Sequence, residues 1–178
     1  MAILLPPAAA WRAEVCVADG VRVARLSPAD GVLDGRPWAL AADAHLAGDT
    51  DAARDGVQAR ANVRSAVGQM LDAGLAGAVF NGDLAFESGL AEDYDSVAEE
   101  LAPLAARSPV VLAPGNHDRS DRLLGRFHPQ ETRNGAPPKL VTVVEGSAVR
   151  LVVLDSLYRT DVVPGLIGEA QRRALAVL

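Results

Sequence analysis

The period at which apolar residues recur changes several times along the chain, and each period predicts a type of secondary structure. Short continuous apolar runs, typical of buried strands, occur at residues 38–42, 76–80 and 109–113. Between these runs, apolar residues recur at helical spacing over residues 50–73 and again over residues 90–104. The pattern therefore predicts strand, helix, strand, helix, strand.

Strands that alternate with helices of this length pair in parallel through right-handed crossovers. We therefore expect the α/β fold class, with a parallel βαβαβ core. Further along, the apolar stretches at residues 140–144 and 149–154 flank a short loop and predict an antiparallel pair. Helical spacing resumes near Gly168 and continues to the last residue.

The amino-terminal part of the chain has a different pattern. Residues 13–26 alternate loosely around Asp19-Gly20, a turn-forming pair that predicts a β-hairpin ending near Pro28. We interpret residues 1–36 as an N-terminal β-ribbon extension and residues 37–178 as the main domain. Because the sequence stops within an apolar stretch, we expect it to be the amino-terminal part of a longer domain.

Composition limits the classes of function. The chain has 178 residues, 49% of them hydrophobic, which is enough for one ordinary domain with a buried core. Aromatic residues make up only 4%, and 17 basic against 23 acidic residues give a net charge of −6, so stable nucleic-acid binding is not expected. A phosphorylated substrate is still compatible with this charge, because bound divalent cations would reverse the local field.

The single cysteine and the start of the chain bear on location. Cys16 is the only cysteine, which excludes an intrachain disulfide and suits a reducing compartment. Residues 1–10 have no basic segment, and Pro6-Pro7 interrupt their apolar run well short of a membrane span. We expect a cytoplasmic protein without a membrane partner.

Residue types that bind metal ions follow the end of each expected strand. Asp43 and His45 follow the first strand, Asp83 the second, and Gly115-Asn116-His117-Asp118 the third. Taken singly, each of these residues is better explained as part of a turn, as a helix cap or as a buried histidine. Ligands of open α/β sheets bind beyond the carboxyl ends of parallel strands, so their order favours one shared site. Carboxylate, imidazole and amide oxygen suit Mn, Fe, Zn or Mg.

These motifs have a family resemblance. Asp43-x-His45, Gly82-Asp83 and Gly115-Asn116-His117-Asp118, in this order, resemble the opening motifs of the calcineurin-like metallophosphoesterases. Leu154-Asp155-Ser156 resembles a strand end of the cyclic nucleotide phosphodiesterase-like branch. The resemblance covers about residues 37–178 and implies an αββα sandwich. It also implies a metal-dependent phosphoric ester hydrolase, a phosphomonoesterase or phosphodiesterase that uses two divalent metal ions and a metal-activated water.

The same resemblance implies the ligands of both metal ions. Asp43 and His45 would bind the first ion, Asp83 would bridge the two ions, and Asn116 would bind the second. Asp155 could lie close to this centre or simply end a strand in a turn.

The three residues that directly follow Asn116 would serve catalysis and substrate binding. By the resemblance, His117 would protonate the leaving oxygen or contact the phosphate, with Asp118 supporting its ring. Arg119 could reach a substrate phosphate, although a solvated short helix is the better explanation of this arginine.

The chain also departs from the family pattern. Phe86 stands three residues after Asp83, where purple acid phosphatases carry a tyrosine, so a ferric-tyrosinate site is not expected. After His117 the sequence has only His128, in a polar loop, and it lacks the family's later Gly-His-x-His ligands. Either those ligands belong to a part of the protein beyond this sequence, or the fold is catalytically degenerate and acts as a protein-binding scaffold.

Overall fold

Eight strands and four helices lie in the part of the chain that the structure, a computed structural model, describes. The described residues are 2–4, 11–29, 35–53, 55–129 and 138–178. The strands are β1 (Ala2–Leu4), β2 (Trp11–Ala18), β3 (Val21–Pro28), β4 (Trp38–Ala41), β5 (Gly77–Asn81), β6 (Val110–Ala113), β7 (Lys139–Glu145) and β8 (Arg150–Leu154). The helices are α1 (Ala59–Asp72), α2 (Ala91–Ala105), α3 (Ser120–Phe127) and α4 (Glu169–Ala176).

The first sheet contains the three apolar runs of the middle of the chain. Its strand order is β1-β6-β5-β4, in which β4, β5 and β6 are parallel and β1 is antiparallel to β6. Helices α1 and α2 connect the parallel strands, as their helical spacing predicts. The mixed α/β class is therefore confirmed. Strand β1 was not expected from the sequence, because its short apolar stretch has no pattern of its own.

The second sheet has the order β2-β3-β7-β8. Strands β2 and β3 pair as an antiparallel hairpin around Asp19 and Gly20, which both have positive φ. Strand β3 then pairs in parallel with β7, and β7 pairs antiparallel with β8. The second strand of the N-terminal ribbon is thus an interior strand of this sheet.

The core lies between the two sheets, and side-chain alternation along β7 shows its two faces. Leu140 and Val144 join the main core, which also contains residues of β5 and β6. Val141 and Val143 lie on the opposite face, where Ala170 and Ala174 of α4 pack against them. The second sheet is therefore covered on one face by the first sheet and on the other by α4.

One helix boundary differs from the sequence prediction. Helix α1 begins at Ala59 rather than near Thr50. Asp55 and Gly56 both adopt left-handed backbone conformations, with φ of 52° and 77°, and these consecutive positive angles interrupt a helix. Among the described residues, no helix has the length and apolar character needed to cross a membrane.

Candidate metal centre

Three of the expected ligands lie together at the carboxyl ends of two adjacent parallel strands. Asp43 and His45 follow β4, and Asp83 follows β5. One ligand atom from each side chain can be chosen so that all three atoms lie within 4.8 Å of one another. This spacing is short enough for one cation to contact all three groups.

Backbone hydrogen bonds hold the two ligand segments side by side. The Asp43 N–H donates to the Gly82 carbonyl at 3.1 Å, and the His45 N–H donates to the Asp83 carbonyl at 2.9 Å. Parallel pairing thus continues past the ends of β4 and β5. This pairing holds the Asp43 and Asp83 segments side by side, with their carboxylates near each other.

His45 is oriented as metal-binding histidines usually are. Its Nδ1 lies 3.1 Å from the Phe86 carbonyl, which can only accept, so Nδ1 carries the proton. The neutral ring therefore has its lone pair on Nε2, which is 3.8 Å from Oδ1 of Asp43. A histidine fixed in this tautomer can bind a cation through Nε2.

Asp83 is fixed by the loop that follows β6. Its Oδ1 accepts a hydrogen bond from the His117 N–H at 2.9 Å. A Cβ atom at Gly115 would lie 2.3 Å from both the backbone nitrogen and Oδ1 of Asp83. The loop can approach this closely only because residue 115 is glycine.

His117 lies beside His45, and its ring is held by a backbone carbonyl. The two imidazole rings have centroids 5.1 Å apart and an interplanar angle of 71°. Nδ1 of His117 is 2.5 Å from the Glu87 carbonyl, so this ring also carries its proton on Nδ1. The group that orients the His117 ring is thus Glu87, where the family resemblance implies Asp118.

The carboxylate of Asp118 is fully buried beneath the site. It accepts hydrogen bonds from the N–H groups of Leu84, Ala85 and Gly115, and from the hydroxyl of Tyr94. Burial raises the pKa of Asp118, and these hydrogen bonds act in the opposite direction. The side chain joins the loop after β5 to the loop after β6, which indicates a role in positioning the site rather than in contacting substrate.

Asn116 lines the same cleft as Asp43 and Asp83, which has a volume of about 240 Å³. The backbone carbonyl of Asn116 accepts a hydrogen bond from the Asp161 N–H at 2.8 Å. This bond ties the segment after β8, residues 156–165, to the loop after β6, and part of that segment also lines the cleft. Asn116 therefore borders the same cleft as the two carboxylates.

Arg119 lies on the side of a neighbouring cleft, and its guanidinium is already paired. Nε and Nη2 donate to the carboxylate of Asp121 at 3.1 and 2.9 Å, which lowers the pKa of Asp121. The neighbouring cleft, about 490 Å³, also contains Lys139 and Asp155.

Asp155 directly follows β8, and its buried side chain links this strand to neighbouring elements. Its carboxylate accepts hydrogen bonds from the N–H groups of Leu140 and Leu157 and is 3.5 Å from Nζ of Lys139. Gln171 of α4 bonds to both the backbone N–H and the carbonyl of Asp155. These contacts indicate a structural role.

Sequence reasoning missed Tyr94 and the backbone carbonyls of Phe86 and Glu87. Tyr94 occupies a core position of α2, so its periodicity predicts packing and nothing else. Its hydroxyl donates to Asp118 and accepts from the Arg119 N–H at 2.7 Å. Burial, followed by the charge of Asp118, raises the pKa of Tyr94 well above its usual range. Local sequence carries no signal for such long-range bonds.

The donor set fits a divalent metal ion. Two carboxylates and a neutral imidazole are hard to borderline ligands, the kind that Mn, Fe, Zn and Mg take. The two carboxylates also give the centre the negative charge that attracts cations. His128, the remaining histidine, follows the end of α3.

Neither a scan against protein-family models nor a search of curated proteins returns a match to the chain.

Proposed function

We propose that this chain is a metal-dependent phosphoric ester hydrolase of the calcineurin-like type, with a parallel βαβαβ core in an αββα sandwich. The observation that carries the proposal is the convergence of Asp43, His45 and Asp83 within 4.8 Å at the ends of β4 and β5. The hydrogen bond from His45 to the Phe86 carbonyl supports it, since metal-binding histidines are usually held in this way. The layered arrangement of two sheets with α4 on the outer face supports the proposed sandwich.

The expected ligands would divide between two metal ions. Asp43 and His45 would hold the first ion, Asp83 would contact both, and Asn116, which lines the same cleft, would hold the second. When bound, divalent ions would make water more acidic and neutralise charge on the phosphate oxygens.

The protein groups provide orientation and proton transfer. His117 donates its Nδ1 proton to the Glu87 carbonyl, so Nε2 is the nitrogen that, when it also carries a proton, would give that proton to the leaving oxygen. Asp118 and Tyr94, buried below, hold the loop that carries His117. Arg119 is proposed to contact a phosphate oxygen of larger substrates from the neighbouring cleft.

The test is turnover of p-nitrophenyl phosphate and bis(p-nitrophenyl) phosphate by the purified full-length protein with Mn²⁺, compared with its Asp83→Asn variant. Asparagine keeps an oxygen that can accept from the His117 N–H but removes the charge. We expect kcat to fall by roughly 100-fold or more, because one ligand charge of the centre is lost. The matched control is Asp49→Asn, which changes an exposed aspartate outside the cluster.

The rival function, a protein-binding scaffold with a degenerate centre, gives a different result. It predicts no Mn²⁺-dependent turnover of either ester by the unaltered full-length protein. Equal turnover by the Asp83→Asn and Asp49→Asn variants would also contradict the proposed centre.

A cytoplasmic location belongs to the same proposal and is supported by Cys16, which is exposed as a free thiol.

A further inference from the structure

Two clefts include Asp43 in their lining. The first, called here the metal cleft, is the one of about 240 Å³ that Asp43 shares with Asp83 and Asn116. The second, called here the α1 cleft, has a volume of about 360 Å³ and contains Asp43, His45, Val57, Val63 and Phe86. Because both clefts include Asp43 in their lining, the α1 cleft is adjacent to the metal cleft.

The α1 cleft is lined mainly by apolar side chains. Val63 and Phe86 form part of its lining, and Val63 is buried against the core. Val57 lies on the same cleft but has 52% of its surface exposed. Packing in the core accounts for an apolar side chain at Val63, but it does not account for one at Val57, which is half exposed.

The backbone before α1 places Val57 at the cleft. The consecutive left-handed residues Asp55 and Gly56 reverse the chain, and Ala59 then begins the helix. Both Val57 and Ala59 line the cleft as a result. This turn is the feature that shortened α1 relative to its sequence pattern.

The charges in the α1 cleft select against an anionic group. Asp55 contributes a carboxylate that is not an expected metal ligand, and no lysine or arginine is among the described residues that line the cleft. A second phosphate or a carboxylate would meet the like charge of Asp55 there. A neutral apolar group would displace water from Val57 and Phe86 at no such cost.

We propose that the α1 cleft binds the organic group of the phosphoric ester, and that it selects neutral apolar groups, aryl or branched alkyl. The inference rests on the proposed function, which places the phosphate beside Asp43 and Asp83. A cleft of this volume lies within the range of small-molecule sites and is large enough for a six-membered ring. Val57 is then a specificity-determining residue.

Binding of two phosphonates tests this inference separately from turnover. Methylphosphonate and phenylphosphonate carry the same acidic group, have a P–C bond that is not hydrolysed as an ester, and differ only in the organic group. With Mn²⁺ present, isothermal titration calorimetry should give a Kd for phenylphosphonate about tenfold or more below that for methylphosphonate, because the ring buries apolar surface. In the Val57→Ser variant this preference should fall by roughly threefold or more.

Val149→Ser is the matched control. Val149 is another exposed valine, at 71%, and it lines neither the metal cleft nor the α1 cleft. This variant should keep the full preference for phenylphosphonate. Thermal unfolding of both variants checks that each is folded.

The outcomes separate the two proposals. If both phosphonates bind in a Mn²⁺-dependent manner with equal Kd, or if Val57→Ser keeps the preference, the α1 cleft is not the subsite and the hydrolase proposal still holds. If neither phosphonate binds when Mn²⁺ is present, the proposed metal centre fails and this inference fails with it.

Discussion

Asp43, His45 and Asp83 all have left-handed backbone conformations, with φ of 57°, 41° and 49°. Such angles are uncommon for residues with a side chain and cost about 1–3 kcal/mol each when they are strained. They persist where surrounding contacts fix them, and here the carbonyls of Gly82 and Asp83 accept the N–H groups of Asp43 and His45. The backbone is therefore held in the shape that directs these side chains to one point.

At the residue scale, Gly115→Ala tests whether close packing of the two loops sets the ligand geometry. The new methyl group would lie 2.3 Å from the backbone nitrogen and Oδ1 of Asp83, so one loop must move. We expect Mn²⁺ affinity, measured by calorimetry, to fall about 10- to 100-fold, as when an outer-shell partner is lost.

Gly68→Ala is the control for that substitution. Gly68 lies inside α1, and a Cβ there meets no atom within 4 Å. This variant should keep its Mn²⁺ affinity and gain about 0.5–1 kcal/mol of unfolding free energy, since alanine is the better helix former. Unchanged affinity in Gly115→Ala would show that the loops adjust without cost.

At the scale of elements, an ion network fixes α1 against α2. The Glu100 carboxylate, whose side chain is 4% exposed, accepts hydrogen bonds from Arg60 at 2.8 Å and from Arg64 at 2.7 and 2.8 Å. The side chain of Arg60 is also largely buried and donates to Ser96. Because α1 forms one wall of the α1 cleft, this network also positions that wall.

Glu100→Gln should destabilise the protein by about 1–3 kcal/mol, because the buried guanidinium of Arg60 loses its opposite charge. The measurement is urea unfolding, in which the midpoint should shift while the dependence of the unfolding free energy on urea concentration stays constant. Glu99→Gln is the matched change, since Glu99 is 67% exposed and contacts Arg60 at 3.3 Å. We expect a loss below about 0.5 kcal/mol for this surface pair. Equal losses in the two variants would contradict the importance of burial.

At the scale of the whole molecule, the candidate site belongs to both sheets. The metal ligands follow strands of the first sheet, whereas residues 156–165, which border the metal cleft, follow β8 of the second sheet. The segment is fastened to the first sheet by bonds from Asp161 to Asn116 and from Thr160 to Asp118. An ion in the cleft would bind the native arrangement of both sheets and not the unfolded chain.

Ion binding should therefore stabilise the fold as a whole. At a Mn²⁺ concentration 100 times Kd, the expected gain is about 2.7 kcal/mol, which raises Tm by roughly 5–10 °C in a domain of this size. Differential scanning calorimetry with and without Mn²⁺, followed by EDTA, measures the shift and its reversal. Asp43→Asn should remove most of the shift, and Asp49→Asn should leave it unchanged. A Tm that does not respond to Mn²⁺ in the unaltered protein would exclude a native metal site.

Much of the fold could be predicted from local sequence. The apolar runs at β4, β5 and β6 and the helical spacing of α2 gave the elements within a few residues, because period and length are properties of short segments. The start of α1 was predicted too early. Asp55-Gly56 is the same turn-forming pair as Asp19-Gly20 and marks a break before Ala59, which the apolar spacing alone does not show. The pairing of β3 with β7 could not be predicted, because their register joins residues more than 100 positions apart.

The sequence by itself determined the types of group at the candidate site and their order along the chain: carboxylate, imidazole, carboxylate, amide, imidazole. The tertiary structure decided which of these groups meet, and which backbone atoms hold them. The carbonyls of Phe86 and Glu87 set the histidine tautomers, and the buried hydroxyl of Tyr94 secures Asp118. Every residue carries the same carbonyl group, so the sequence cannot mark these two. Only packing, which brings distant segments within hydrogen-bond distance, gives them a role.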